Sequence, residues 1–239
     1  SGQWTTIGVP SNWELQGFGT YNYGHDKPKS NEQGKYRRRF TLPQAWQGKC
    51  IQIVFEGVMT DTQVWVNGKS SGPEHQGGFY RFKYDITELV QFDRPNLLEV
   101  TVNKVSSNKS VELAERKADY WVFGGIFRPV YLEAFPQQFI ERCAVDARAD
   151  GRIVVDVYMQ GLANKGRLVG TVLEPGAGRR GRFRARVATG QAKVTLQGTV
   201  QGIQTCNAET PYLYDLQLAL LIDLHAVHRL TQRLRFSSF

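Results

Sequence analysis

Apolar side chains recur at every second position in one short segment after another of this chain, while long runs with a helical period of three to four are not evident. That alternation constrains the fold most, because successive side chains of an extended strand point to opposite faces. In CIQIVFEGV, Ile51, Ile53 and Phe55 share one face. In TQVWVNGKSSG, Val64 and Val66 lie on one side, and Asn67-Gly68 behind them tolerates the positive φ of a tight hairpin turn. GGFYRFKYDIT sets Tyr80, Phe82, Tyr84 and Ile86 against Arg81, Lys83 and Asp85, and NLLEVTVNKVS alternates through Leu98, Val100 and Val102. YRRRFTL, at 36–42, adds a further strand, and DITELV reads as a short helical turn. Many short strands divided by Gly, Pro and Asn predict an all-β sandwich.

The pattern breaks at EAFPQQF, where Pro136 and two glutamines follow Leu132. Beyond it, GRIVVDVYMQG (Ile153, Val155 and Val157 on one face), RLVGTVLEP, GRFRARVAT, AKVTLQGTV, YLYDLQLALLI and HRLTQRLRF keep the rhythm of an immunoglobulin-like sandwich, without the paired cysteines of antibody domains. The boundary is expected near Gln137, giving a first domain over 1–137 and a second over 138–239. The first domain carries a polar loop, NKVSSNKSVELAERKA, that leads straight into ADYWVFGGIFRPVYLEAFP. Long loops on a rigid sandwich are where binding residues gather.

Composition removes several classes of function. At 41% hydrophobic and 12% aromatic residues the chain can bury a core, and no run approaches the roughly 18 apolar residues that would span a bilayer. The opening SGQWTTIGVP has no charged and apolar leader; its Ser-Gly reads as the scar of a cleaved expression tag, so location is left open, periplasmic or secreted if an export signal lies upstream. Cys50, Cys143 and Cys206 are widely spaced and read as buried thiols rather than zinc ligands or a disulfide framework. The net charge of +8 is uneven: 16 Lys and Arg stand against 14 Asp and Glu as far as Gln138, and 14 against 8 beyond. The densest run, GRRGRFRARV, alternates Arg182, Arg184 and Arg186 with Phe183, Ala185 and Val187. A solvated strand face and a surface for an acidic partner both fit it. Nucleic acid is not indicated, since no Gly-rich phosphate loop or aromatic-basic RNA signature accompanies the arginines.

Four ordered stretches resemble glycoside hydrolase family 2, which includes β-galactosidases, β-glucuronidases and β-mannosidases: VPSNWELQGFGTYNY, VFEGVMTDTQVWVNGK, EHQGGFYRFKYDITELV and DYWVFGGIFRPVYLE. TPYLYDLQLAL and the closing QRLRF resemble the last strands of that family's immunoglobulin-like domain more weakly. The resemblance implies a sugar-binding jelly-roll followed by an immunoglobulin-like sandwich. In DYWVFGGIFRPVYLE it implies a corner with Gly124 and Gly125 giving backbone freedom, Ile126 and Phe127 entering the core, and Arg128 bonding backbone carbonyls or a carboxylate. Asp119 matches an acid that, in the family's β-galactosidases, reaches the sugar subsite and can share a cation with the catalytic domain; a loop cap or a salt bridge to Arg116 or Lys117 is the other reading. Asn22, in GTYNYG, matches an asparagine on the rim of that subsite, although GHDKPKSNEQGK departs from the longer loops of β-galactosidases. Tyr21, Tyr23 and Trp121 offer flat faces to a sugar ring, with Trp121 as a buried plug of the sandwich mouth the competing reading.

Retaining hydrolysis needs two carboxyl groups about 5 to 5.5 Å apart. The resemblance puts both on a (β/α)₈ barrel that would follow RLRFSSF, and no such βα alternation is present here. Asn31-Glu32 copies the family's acid/base dipeptide but sits in SNEQGKY, which reads as a solvated loop. His225 and His228, three apart on a strand, face opposite sides and make no metal pair. The expected role is therefore a non-catalytic, N-terminal portion of a β-galactosidase-like family 2 glycosidase, supporting the catalytic barrel and lining the rim of its sugar subsite, with no cofactor or metal of its own; an autonomous carbohydrate-binding module is the alternative.

Overall fold

The computed structural model describes residues 3–27, 30–207 and 209–237; the initial Ser-Gly lies outside them. The chain divides into two compact units, Ser1–Ala134 and Phe135–Phe239. Both are β-sandwiches, a jelly-roll followed by an immunoglobulin-like fold.

The first unit is built from β1 (Asn22–Tyr23), β2 (Gln33–Phe40), β3 (Cys50–Phe55), β4 (Asp61–Val66), β5 (Lys69–Ser70), β6 (Phe82–Asp85), β7 (Asn96–Asn103), β8 (Trp121–Val122) and β9 (Val130–Phe135). One sheet runs β2-β7-β4-β5, the other β6-β3-β9, and β1 pairs separately with β8. The core between them holds the faces read from the alternation: Ile51, Ile53 and Phe55 from β3, Val64 and Val66 from β4, Val100 and Val102 from β7. Asn67 turns the β4–β5 hairpin at φ 53°. Tyr80 departs from its expected face: it stands exposed ahead of β6, while Phe82 and Tyr84 pack on the core and Ile86 is buried in it.

Residues 103–118, expected as a polar loop, contain the one α-helix of the described residues, α1 (Lys109–Glu115). Its cap is Asn108, whose side chain accepts from the Ser110 and Val111 amides. Buried Asp61 at the start of β4 anchors the approach to α1, accepting from Ser106 Oγ (2.6 Å) and from the Ser107 amide (2.7 Å) and Oγ (2.9 Å). Glu115 at the far end accepts from the Gly78 amide at 2.7 Å.

The second unit contains β10 (Phe139–Ala147), β11 (Arg152–Gln160), β12 (Gly166–Glu174), β13 (Gly178–Val187), β14 (Lys193–Thr199), β15 (Tyr214–Ile222) and β16 (His225–Leu234). The sheets are β10-β11-β14 and β13-β12-β15-β16, so β13 joins the sheet of β12 rather than that of β14. Inward rows of Ile153, Val155, Val157, Leu168, Val172, Leu216, Leu218 and Leu220 fill the core. The corner before β15 is pinned by Tyr214, fully buried, whose hydroxyl accepts from the Gln204 amide at 2.7 Å; a tyrosine at the start of this strand bonding backbone upstream is a hallmark of immunoglobulin-like sandwiches. His225 is exposed, whereas His228 packs against Phe135 and Phe139 and accepts from the Ile140 amide. Of the cysteines only Cys50 is buried; Cys143 and Cys206 are half-exposed, all three being free thiols.

Candidate functional site

The two stretches singled out for a sugar site, GTYNYG and DYWV, meet as β1 and β8. They pair antiparallel, Asn22 opposite Val122 and Tyr23 opposite Trp121. Alternation then sorts their side chains: Asn22 (7% exposed) and Val122 (2%) point inward, while Tyr21 (52%) and Trp121 (53%) stand in solvent. The exposed rings contact edge to face, Trp121 lying 6.1 Å from Tyr21 and 5.5 Å from Tyr23, and Tyr21 6.0 Å from Phe123. Such contacts fix ring orientation while leaving faces open.

This geometry corrects the plug reading of Trp121. The ring that fills the mouth is Trp13, 5% exposed. It also explains the Gly-Gly step. A Cβ on Gly124 would lie 2.2 Å from the Trp13 ring, and Gly125 adopts φ 108°. Ile126 is buried, Phe127 is half-buried, and Arg128 donates to the carbonyls of Glu56 and Phe79.

Asp119 is bound by neither Arg116 nor Lys117. Its carboxylate accepts from the Tyr23 hydroxyl at 3.2 Å and lies 3.5 Å from His25 Nε2, with the side chain 86% exposed. Desolvation, with Asp119 as acceptor and neighbouring charge, pushes the Tyr23 phenol above its ordinary pKa. The close approach of the two segments needs Gly24, where a Cβ would fall 1.8 Å from the Ala118 carbonyl oxygen. Arg116 is instead buried, donating to the Phe123 carbonyl at 2.5 Å.

The resemblance set Asn22 on the rim of a subsite; here its carboxamide oxygen turns inward and accepts from Ser30 Oγ at 2.5 Å. Below it lies a buried ion cluster that sequence reasoning missed. Lys104 Nζ is 2.7 Å from Glu14 Oε1, both fully buried, and 3.4 Å from Glu32 Oε2. Lys104 also donates to the Thr20 carbonyl, and Glu14 accepts from the Gly124 amide, so the cluster ties both arms of the site together. Glu32 is thus partly buried rather than solvated. Desolvation raises its pKa, but bonds from Thr20 and Ser30 and the Lys104 charge outweigh that and hold it below the ordinary carboxylate value.

A hard cation takes six or more oxygen ligands. Asp119 with a phenol and an imidazole does not make such a set, and no group of three or more metal-ligating side chains exists among the described residues. What the arrangement offers is two ring faces, a carboxylate, a phenol and an imidazole on one exposed platform, the mixture that suits a hydroxylated ring with apolar C–H faces.

The arrangement of a jelly-roll followed by an immunoglobulin-like sandwich recurs in proteins of known structure. A β-glucuronidase from Bacteroides uniformis superposes on 98% of the chain with a TM-score of 0.81 at 23% identity, the chain covering 29% of that protein; at that identity the likeness is one of fold. Residues 2–136 match the family model for the sugar binding domain of glycosyl hydrolases family 2, and the chain belongs to that family. It is 30% identical over 260 residues to a β-galactosidase of Streptococcus thermophilus, aligned over 98% of this chain and 24% of that enzyme. It is 25% identical over 242 residues to a putative β-glucuronidase of Formosa agariphila, aligned over 99% and 28%. The chain therefore spans about a quarter of these relatives and corresponds to their N-terminal, sugar-binding region.

Proposed function

We propose that this chain is a non-catalytic portion of a family 2 glycoside hydrolase, β-galactosidase-like in its sugar, whose first sandwich forms one wall of a sugar subsite completed by a catalytic barrel. Tyr21, Tyr23, Asp119 and Trp121 face the sugar, and Asn22 braces them from beneath. The observation that carries this reading is the β1–β8 pairing, which gathers residues 96 positions apart into one exposed platform. Asp119 is hydrogen-bonded to a phenol, which suits a carboxylate that accepts from hydroxyl groups rather than one poised to attack an anomeric carbon.

A wall without its opposite side keeps few contacts, and ordering costs leave little affinity. Titration of the isotopically labelled 239-residue chain with methyl β-galactoside, β-glucuronide and β-mannoside should therefore perturb the Trp121 indole signal weakly, with Kd above about 1 mM. Trp121→Ala should abolish the accompanying shift of the Tyr23 backbone amide signal, which lies opposite Trp121, and leave stability within about 0.5 kcal/mol, since the ring is exposed. The half-exposed Tyr21 and Trp121 also favour a second reading, an autonomous carbohydrate-binding module. Kd well below 1 mM, lost on Trp121→Ala, would select that module, and signals unmoved at Trp121 but shifted elsewhere would remove the platform from both readings.

A further inference from the structure

The second sandwich carries an arginine field that the role of the first leaves unused. Cross-strand register sets its rows: Arg186 opposite Arg167, and Arg184 in line with Val169, Ala219 and Arg229. The neighbours of these positions, Leu168, Leu218 and Leu220, fill the core, so this row points outward. Arg182, Arg184 and Arg186 follow one another at about 6.6 Å along β13.

Arg167, Arg182, Arg184, Arg186 and Arg229 are exposed and have no ion-pair partner among the described residues, while the acid of the same face, Asp215, is engaged by Arg233. Protection of an exposed edge would account for arginines on β13, the edge strand. It does not account for Arg167, on an inner strand directly opposite Arg186, because like charges across a strand pair are destabilising. The ladder ends at an open depression of about 470 Å³ whose lining includes the cations Lys165, Arg167 and Arg186, the single carboxylate Asp223, and Leu224.

We propose that this face binds a linear acidic polysaccharide, one bearing carboxylate or sulfate groups along its length, laid over β13 and β12 with an anionic group at the Lys165–Arg167–Arg186 depression. Guanidinium forks match carboxylate and sulfate oxygens two at a time. Nucleic acid suits the face less well. Its outward positions, Val169, Thr171, Gln217, Ala219, Leu221 and Thr231, include no ring on which a base could stack, and the described residues of the second unit form no helix that could enter a groove. Membership of a glycoside hydrolase family makes a glycan the chemically consistent polyanion, and the site is separate from the β1–β8 platform, so either can fail alone.

The test is binding of the 239-residue chain to fluorescein-labelled polygalacturonate, with neutral dextran and a DNA duplex as comparators. The labelled polyuronate should bind, weaken steeply as salt rises, and outcompete both comparators. R182S/R184S/R186S should bind about tenfold more weakly or worse with undiminished thermal stability, and R94S/R148S/R152S, which removes the same charge elsewhere, should bind nearly as the native chain does. R182K/R184K/R186K, which keeps the charge and loses the forks, should fall between. Absence of binding at low salt, equal loss in the two serine triples, or tighter binding of the duplex than of polygalacturonate would each overturn the proposal.

Discussion

At Gly124 a single hydrogen atom decides how the sandwich closes. Trp13 packs its ring where a Cβ would stand, and the Gly124 amide is gripped by the buried Glu14 carboxylate. Gly124→Ala must push the indole aside or move the backbone off Glu14, a cost of about 1 to 3 kcal/mol as for other overpacked cores. Gly8→Ala, with open space around its Cβ, is the matched control and should be near neutral. Urea denaturation of the two variants measures the difference. Sequence alone suggested that the Gly-Gly step supplies backbone freedom; that holds for Gly125, whereas Gly124 is dictated by Trp13, more than a hundred positions earlier. Separation along the chain also hid the role of Lys104. In NKVSSNKS it reads as one more solvated lysine, and only the fold brings Glu14 and Glu32 to it.

Among the elements, the long strands were legible because a sandwich buries one face of each, and period two survives over six or more residues. The two-residue strands β1, β5 and β8 are too short to display any period, and β1 and β8 carry the candidate site. Asn22, Asp119 and Trp121 were thus reachable only through family resemblance, which gave their identities but not their orientations. Helix α1 was missed for a related reason: seven residues make barely two turns, although Asn108 ahead of Val-Glu-Leu-Ala-Glu is a readable start signal. Tyr214 left a signal as well, opening the apolar run of β15. Tyr214→Phe strands the Gln204 amide without its acceptor, and should cost about 1 to 3 kcal/mol in chemical denaturation. A pH effect belongs to β16. Burial lowers the His228 pKa below its ordinary 6.5, and its Nδ1 accepts from the Ile140 amide, so folding favours the neutral ring. A base with a lowered folded-state pKa gives stability that is present above 6.5 and lost as pH falls through the folded value. His75, desolvated against Phe82, adds in the same direction. Thermal unfolding should move to lower temperature between about pH 7 and about pH 5, and less so in His228→Asn, which keeps an acceptor oxygen without the titrating ring; an unchanged slope in that variant would contradict the assignment.

For the molecule as a whole, the two-sandwich organisation followed from strand rhythm and the break at Pro136, while the division of the structure falls between Ala134 and Phe135. What strand rhythm could not convey is which end of which sandwich faces a ligand, since alternation distinguishes inside from outside but not one loop cluster from another. The charge asymmetry did survive into three dimensions, as the outward arginines of the second unit. The functional account rests on the first unit offering a sugar-facing wall whose chemistry is completed elsewhere. Its most direct test is release of nitrophenol from nitrophenyl β-galactoside, β-glucuronide and β-mannoside by the purified 239-residue chain. No release above the uncatalysed rate is expected with any of the three. Turnover that disappears on a single acid substitution, Asp119→Asn or Glu32→Gln, would contradict the account by placing the catalytic carboxylate within this chain.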